Sequence, residues 1–548
     1  MKAELRTLIE TGLEEIKGEL QLQEVPPVHF EIPKRENQGD YSTPIAMVIG
    51  SMTRQIPRKV AELILKHLPV NPMIEKIEIA GPGYLNFTFK NIHWYDVLRE
   101  IIQKDKSYGH SKTGIGVKVQ VEFVSANPTG PLHVGHGRGA VVGDALANLL
   151  EITGHEVQRE YYINDVGRQV DLLGQSVYAR YLQLTGKAGE IPPEGYPGEY
   201  VTEIAREIDS KRTPIPEKDS EIVPFFTEYS KIRILAEIKK DLDALHVYFS
   251  NWFSEKELYD TGVVNKTLEE LRTKGLLYEH EGGTWFATTR FGDDKDRIVI
   301  KSSGEKTYYA SDIAYHYQKY QRGFDRVINI WGADHHGYIL RVKAAVEALG
   351  FDPKTLNILL LQLVNLVREG KPVPMSKRAG EYVTLRDVFN EVGVDSTRFF
   401  FLTRGSDNAL DFDLELAKKQ SNENPVYYIQ YAHARICSVL RNAEEKKIDL
   451  SGKEVNLSLL TLPQEFALMK QLAYYPMLIQ ECAEALEPHR LSFYLQDLAG
   501  LLHQYYYKNR IISDDLVLTR SRLYLTQAVK IVLNNALGVL GINAPEKM

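Results

Sequence analysis

The chain is 548 residues long, 43% hydrophobic and 25% charged, with 39 Gly and 24 Pro. This is the make-up of an ordinary folded protein of several domains, and it excludes a single small module, wholesale disorder and a collagen-like repeat. The 66 Lys and Arg against 73 Asp and Glu leave a net charge of -7, which excludes a generally basic nucleic-acid coat and leaves any polyanion to local basic patches.

Two cysteines, Cys437 and Cys482, supply neither a disulfide framework nor a four-ligand zinc site. No apolar run is long enough for a signal peptide or a membrane span, so the expected location is the cytoplasm.

At the N-terminus Leu5, Leu8, Ile9 and Ile16 recur at helical spacing. VHFEIP and IEKIEIAGPGYLNFTF alternate like strands, which predicts a small α/β module over residues 1–110. GHSKTGIG reads as a connector. In VKVQVEFV the apolar Val117, Val119, Val121 and Phe123 alternate with polar residues as in a strand. ANPTGP then turns, and a helix from His136 carries Val142, Leu146, Leu149 and Leu150 as one stripe ending at Gly154. Strand, Gly/Pro turn and helix open a doubly wound parallel sheet. VQREYYI is a second strand, residues 170–300 read as an insertion between sheet halves, and Val327, Ile328 and Ile330 mark the sheet's resumption. Residues 111–385 thus form the predicted sheet domain, residues 386–424 a connecting segment, and residues 425–548 a wholly helical domain. The fold class expected is multidomain α/β: a Rossmann-like doubly wound parallel sheet with a small N-terminal α/β domain and an all-α C-terminal one.

The sharpest chemical signal is His133-Val134-Gly135-His136, where a strand's end turns into a helix start. Ligands of open α/β sheets bind at that edge, and N–H groups at a helix N-terminus favour phosphate. Two histidines three apart face one side, and Gly135 lets a base or ribose approach the backbone. Imidazoles there donate to the pentavalent phosphate that forms when a carboxylate attacks an α-phosphorus. By itself His-x-x-His is also a surface or metal-binding pair; the strand-turn-helix setting favours the nucleotide. Gly135, Gly137, Gly139 and Gly143 give neither G-x-G-x-x-G nor a Walker spacing, which weakens a dinucleotide reading. The second signal is Met375-Ser376-Lys377-Arg378 on a glycine-flanked loop. Alone it is a solvated basic loop; after HVGH it is a loop able to close over a triphosphate and neutralise the leaving pyrophosphate.

HVGH followed by MSK on one α/β domain resembles the HIGH and KMSKS signatures of class I aminoacyl-tRNA synthetases. More narrowly, EFVSANPTGPLHVGHGRGAVVGD, YYINDVGRQ, TYYASDIAYH and GADHHGY resemble the arginyl-tRNA synthetases, and the likeness covers nearly the entire chain. NQGDYSTPIAM and IAGPGYLNFTF resemble that family's N-terminal domain, which meets the tRNA elbow. NPVYYIQYAHARICSVLRN resembles its helical anticodon-binding domain. One departure is plain: Pro374 replaces the first lysine of KMSKS, so Lys377, with Lys371 nearby, carries the load.

The resemblance implies an arginine–tRNA ligase. Arginine and ATP, with Mg²⁺ as part of the substrate complex, form arginyl-adenylate and pyrophosphate, and the terminal ribose of tRNA(Arg) then takes the arginyl group and releases AMP. It implies catalytic roles for His133, His136 and Lys377, and an ATP site of His133, Gly135, His136, Gly332, Asp334, His335, Met375, Ser376 and Lys377. A planar, permanently charged guanidinium wants a carboxylate that accepts a forked pair of hydrogen bonds. Asp312 matches that acid and Tyr308 the aromatic wall beside it, with Glu122, Asn127 and His133 completing the arginine site. Outside this likeness, Asp312 reads as a solvent-facing helix acid and Gly332 to His335 as a turn with an N-cap.

For tRNA, anticodon bases stack on aromatic side chains beside basic groups. Tyr427, Tyr428, Tyr431, His433 and Arg435 offer one such face, and Tyr505, Tyr506, Tyr507, Lys508 and Arg510 another. Tyr428, Tyr431, Arg435, Tyr507 and Arg510 are the residues expected to contact it, although both sets equally fit a helical core with a snorkelling base. No membrane, DNA or tightly bound metal is expected, and the family suggests a monomer. Two other readings are weighed. A catalytically silent tRNA-binding relative is disfavoured by intact His133, His136 and Lys377, and an HxGH nucleotidyltransferase of a small metabolite is disfavoured by the flanking domains.

Overall fold

The computed structural model describes residues 2–31, 33, 38–373, 383–448 and 455–548. They divide into two compact units: Met1–Asp105 with Val439–Tyr474 and Gln504–Ile531, and Lys106–Ser438 with Tyr475–His503 and Val532–Met548.

At the centre of the larger unit five parallel strands lie in the order Leu356–Leu361, Arg326–Gly332, Lys118–Glu122, Glu156–Ile163 and Asn251–Ser254. Numbered along the chain this order is 5-4-1-2-3, the doubly wound arrangement, and the chain reverses direction across the sheet between the first and fourth strands. In Lys118–Glu122, Gln120 and Glu122 are buried along with Val119 and Val121. The alternation in the sequence therefore does not mark a wet face; a parallel sheet is covered on both sides. The Gln120 side-chain amide nitrogen donates to Glu160 at 2.6 Å.

Helix Val134–Ile152 is likewise buried nearly all round rather than along one stripe. A Cβ at Gly137 or Gly143 would collide with Leu385 or Phe123, so these glycines serve close packing. The connector closes this helix: Ser111 N–H donates to the Ile152 carbonyl at 3.0 Å and Gly114 N–H to that of Thr153 at 2.9 Å.

Residues 170–300 are more than an insertion, because Asn251–Ser254 within them is the edge strand of the central sheet. Around it lie helices Arg168–Leu184, Glu199–Ser210, Asp219–Ala244 and Val263–Thr273, and an antiparallel sheet of Leu277–His280, Gly283–Phe286 and Arg297–Ile300. Helix Tyr308–Gln321 packs Ala310, Ile313, Ala314 and Tyr317 against Leu268, Phe286 and Val299 of that region. Its opposite stripe is thereby left to the central sheet.

Beyond the sheet, Val364–Arg368 pairs with Lys371–Pro372 and Leu410–Asp413, followed or flanked by helices Leu385–Val392 and Val394–Phe401. Two buried guanidinium groups join these parts. Arg138 donates to the carbonyls of Gln362, Gly405 and Asn408 at 2.8–2.9 Å. Arg398 donates to Leu540 and Leu245 carbonyls, each at 2.8 Å, and to Asp144 at 2.5 Å.

In the smaller unit helix Lys2–Ile16 buries Leu5, Leu8, Ile9, Leu13 and Ile16. Tyr41–Thr43, Tyr84–Phe89 and Ile74–Ala80 form an antiparallel sheet backed by helices Ile45–Thr53, Pro57–His67 and Asn91–Lys104. VHFEIP is not a strand among the described residues. Only Glu31 pairs, in an isolated bridge with Ser42, because Pro26, Pro27 and Pro33 lack the amide donors a ladder needs. Helices Pro425–Glu445, Pro463–Ala485, His489–Lys508 and Leu516–Val539 complete the chain and are apportioned between the two units. Among the described residues no helix is long and apolar enough to cross a membrane.

Candidate active site

A cavity of 440 Å³ opens at the C-terminal ends of the first and fourth strands, where a doubly wound sheet places its ligand. Glu122, Ser125 and Asn127 reach it from the first strand and its exit, Trp331, Gly332 and His335 from the fourth, and Tyr308, Asp312, Tyr315 and His316 from helix Tyr308–Gln321. The expected arginine residues Glu122, Asn127, Tyr308 and Asp312 are therefore gathered around one space, with Gly332 and His335 of the expected ATP set. His133, Gly135, His136 and Asp334 do not line it. The exit from the first strand is strained: Val124 and Ser125 have φ of 67° and 40°, and a β-branched residue pays most for that conformation. Ser125 Oγ is thereby placed to donate to Glu122 at 3.0 Å while accepting from Tyr162 N–H at 3.1 Å.

The floor is acidic. Burial, reinforced by Glu255 and Glu122 and opposed by Lys319, pushes the Asp312 carboxyl up to about 8. Burial pushes Glu255 up to about 7, with Asp165 adding to the rise and a hydrogen bond from Ser311 opposing it. An arriving guanidinium supplies the missing positive charge, so the cavity suits a cation whose charge is permanent. Tyr308 is 58% exposed and stands at the mouth rather than the floor. Asn127 donates to Gln169 at 2.6 Å, which adds Gln169, the last residue of the YYINDVGRQ segment, to the lining; the sequence marks that segment without giving this residue a site role.

His133 caps helix Val134–Ile152. Its Nδ1 accepts from Gly135 N–H at 3.1 Å, and its own N–H donates to Nδ1 of His136 at 3.3 Å. Both Nδ1 atoms are acceptors, so in the neutral rings both protons sit on Nε2, and each histidine presents a donor. Met375, Ser376 and Lys377 lie outside the described residues, but both flanks of that segment are placed. Val373 N–H donates to the Leu366 carbonyl at 2.8 Å, and Leu385 N–H to the Leu132 carbonyl at 2.8 Å, with Thr384 bridged to His133. The segment's far end is thus tied to the residue that opens HVGH. Lys371 is exposed in the short strand Lys371–Pro372, and Asp334 and His335 are exposed beside Gly332.

A second cavity of 860 Å³ shares Val166, Tyr308 and Tyr338 with the first. Arg168, Lys295, Arg297, Lys301, Lys306 and Arg341 line it together with Glu255, Asp296 and Glu305, leaving an excess of cations, and Tyr259 and Trp285 add aromatic rings. Sequence reasoning missed it because its cations come from three separate stretches of chain, none of them basic as a run.

In the larger unit Arg435 lies 4.4 Å over the Tyr431 ring, donates to Tyr431 Oη at 2.8 Å and meets His503 Nδ1 at 3.0 Å. His503 also packs on Tyr428, with ring centres 4.4 Å apart, and was not foreseen. His433 is buried with Nδ1 against the Pro545 carbonyl at 2.9 Å, so it leaves the expected stacking face. In the smaller unit Tyr505 is buried and donates to Glu465 at 2.9 Å, whereas Tyr507 is 90% exposed and Arg510 is exposed. Tyr505 belongs to the core and Tyr507 does not.

The chain has relatives among known proteins. It matches the family models for the arginyl tRNA synthetase N terminal domain over residues 3–89, the class I (R) tRNA synthetase catalytic domain over 97–190 and 203–407, and the DALR anticodon binding domain over 429–548. It is 50% identical over 556 residues to a protein of Syntrophotalea carbinolica named arginine–tRNA ligase, covering 100% of both chains. A Campylobacter jejuni structure titled a putative arginyl tRNA synthetase superposes with a TM-score of 0.78 at 34% identity, covering 84% of this chain and 100% of that one. Thermus thermophilus arginyl-tRNA synthetase shares the fold over 100% of both chains, with a TM-score of 0.79 at 23% identity.

Proposed function

Since this chain belongs to the arginyl-tRNA synthetase family and joins arginine to tRNA, we propose that the 440 Å³ cavity takes the arginine and that the HVGH turn takes the ATP phosphates. The observation that carries this is the meeting of Asp312 and Glu122 in the crevice of the doubly wound sheet, with Glu255 acting on Asp312 from the neighbouring cavity, an acidic setting suited to one added cation. Asp312 accepts the guanidinium fork, Glu122 supports it, and Tyr308 closes the mouth. Asn127, held by Gln169, meets the amino end.

ATP enters with Mg²⁺ as substrate. An arginine carboxylate oxygen attacks the α-phosphorus, the new P–O bond forms, and the bond to the β-phosphate oxygen breaks with its electrons leaving on pyrophosphate. His133 and His136 donate from Nε2 to the charge that develops there, and Gly332, Asp334 and His335 line the nucleoside. Lys377, adjacent in sequence to Met375 and Ser376, neutralises the leaving pyrophosphate. The terminal ribose hydroxyl then attacks the arginyl carbonyl and AMP departs. Positioning and charge stabilisation suffice, with no covalent enzyme intermediate.

The basic, aromatic second cavity fits the single-stranded 3′ end of tRNA, because stacking and phosphate neutralisation bind such strands and Tyr308 is shared between the two spaces. Residues 1–110 take the elbow, 111–385 perform the chemistry, 386–424 connect, and 425–548 read the anticodon through Tyr428, Tyr431 and Arg435, with Tyr507 and Arg510 on the tRNA backbone. Family models for an N-terminal, a catalytic and an anticodon-binding domain in the same order along the chain support the three functional parts, with the catalytic model reaching from residue 97 to 407 and so into the segment 386–424. The protein works as a cytoplasmic monomer. Pyrophosphate exchange dependent on arginine, run with tRNA present on Asp312→Asn and His136→Ala, tests the assignment: both lose exchange if it holds, and wild-type exchange in either overturns that residue's role.

A further inference from the structure

Lys319 is fully buried, an uncommon state for an ammonium group. It lies on helix Tyr308–Gln321, two turns beyond Asp312, on the stripe turned to the central sheet. Its Nζ donates to Glu122 Oε2 at 2.5 Å and to Asn329 Oδ1 at 2.8 Å, and it sits 4.3 Å above the Tyr315 ring. Because Asn329 gives its oxygen to Lys319, its Nδ2 must face His316 Nε2, 2.8 Å away. His316 therefore accepts there and donates from Nδ1 to the Asp312 carbonyl at 2.8 Å. Burial pushes His316 down to about 3, so it stays neutral. One ammonium thus sets the charge balance at Glu122 and the tautomer of His316, and both line the cavity.

Resting on the assignment of this cavity to arginine, we propose that Lys319 is a positioning residue for arginine recognition, acting through Glu122 on one side and through Asn329 and His316 on the other. The charges facing Asp312 are Glu255 from helix Glu255–Asp260, Glu122 from the first sheet strand and Lys319 from its own helix. Nearby Tyr162 and Tyr309 are driven further from ionisation by burial. Lys319 is itself faced by Glu160 and Arg322, which bind each other at 2.6 and 2.9 Å and so cancel. Asp312 and Glu122 meet the substrate cation while Glu255 acts on Asp312 from the neighbouring cavity, and against these three acidic groups Lys319 supplies the second positive charge. Without it the floor holds an additional proton, which an incoming guanidinium must displace.

The test is calorimetric binding of arginine to the full-length enzyme at pH 7, in buffers of different ionisation enthalpy, which counts protons released per arginine bound. Lys319→Met, shown folded by its melting curve, should release more protons than wild type, by up to about one, and bind arginine at least about tenfold more weakly. Lys319→Arg keeps the charge and should hold the wild-type proton count even if its size disturbs packing. Lys319→Met combined with Glu122→Gln should return the count to the wild-type value. An unchanged count and affinity in Lys319→Met, or a count in the double variant still equal to that of Lys319→Met, overturns the proposal. Asp312→Asn separates this from the parent reading: if it leaves arginine affinity unchanged, the cavity is not the arginine site, whereas a loss there with no Lys319 effect removes Lys319 alone.

Discussion

The rings of His133 and His136 stack with centres 3.7 Å apart and planes 21° from parallel, the first capping the helix that the second has just entered. Each ring's Nδ1 accepts from a backbone N–H, which puts the proton of each neutral ring on Nε2. His133→Ala or His136→Ala should therefore slow adenylate formation by about 100- to 1,000-fold, as for one transition-state donor. Loss of the cap at His133 costs only about 1 kcal/mol. Exchange kinetics beside melting curves check this, and a folded variant with wild-type exchange contradicts it.

Arginine affinity should rise with pH. Burial and its acidic neighbours push Asp312 up to about 8, so below that pH the carboxyl holds a proton that guanidinium must expel. Binding releases that proton, so affinity climbs as pH approaches about 8 and levels above it. Titration calorimetry from pH 6 to 9, as roughly one unit on either side of the ordinary operating range, reads the slope directly. A pH-independent affinity in wild type, or the same slope surviving in Asp312→Asn, removes Asp312 as the proton's holder.

Lys377→Ala should lower kcat more than it weakens ATP binding, if Lys377 neutralises the pyrophosphate whose charge develops in the transition state, as proposed. Lys371→Ala should do less, since its strand pairing to Arg368 holds it before the loop begins. Steady-state exchange kinetics on both variants decide the order; the larger loss at Lys371 would transfer the role to it.

Arg398→Ala should destabilise the protein by about 3–5 kcal/mol, the usual result of stripping one partner from a buried pair. Asp144 loses a 2.5 Å partner, and the carbonyls of Leu540 and Leu245 lose their donors. A denaturant midpoint shift shows the effect, and a midpoint within error of wild type contradicts it. This contact also means that truncating the C-terminal helices would strip Arg398 of an acceptor, so point changes at Tyr431 and Arg435 are the cleaner probe of tRNA binding.

The existence of elements with strong local period was legible in the sequence: the first two sheet strands, the HVGH helix and the C-terminal helices form where the apolar spacing puts them, although the first strand and the HVGH helix are buried on more than the expected face. Asn251–Ser254 was not, because four residues give a period-2 pattern no room to declare itself. VHFEIP misled for the opposite reason, its alternation being real and its prolines decisive. In the site, motif residues could be picked singly, but pairs distant in sequence could not. Lys319 reads as one more solvated lysine of a helix until the fold brings it to Glu122, 197 residues away. The same holds for Gln169 against Asn127 and for the cations of the second cavity.

The most direct test of the account is amino-acid choice at Asp312. Citrulline keeps arginine's shape and replaces the charged fork with a neutral ureido group, whose oxygen would face the carboxylate with no proton between them once Asp312 is ionised. Sites that leave buried polar groups unpaired reject such analogues by roughly 10⁴-fold. Exchange with arginine and with citrulline, measured in the presence of tRNA on wild type and Asp312→Asn, should show kcat/KM for arginine falling by at least about tenfold and the arginine-to-citrulline ratio shrinking, because asparagine donates to the ureido oxygen. An unchanged kcat/KM for arginine in Asp312→Asn would contradict the account and pass the guanidinium to Glu122.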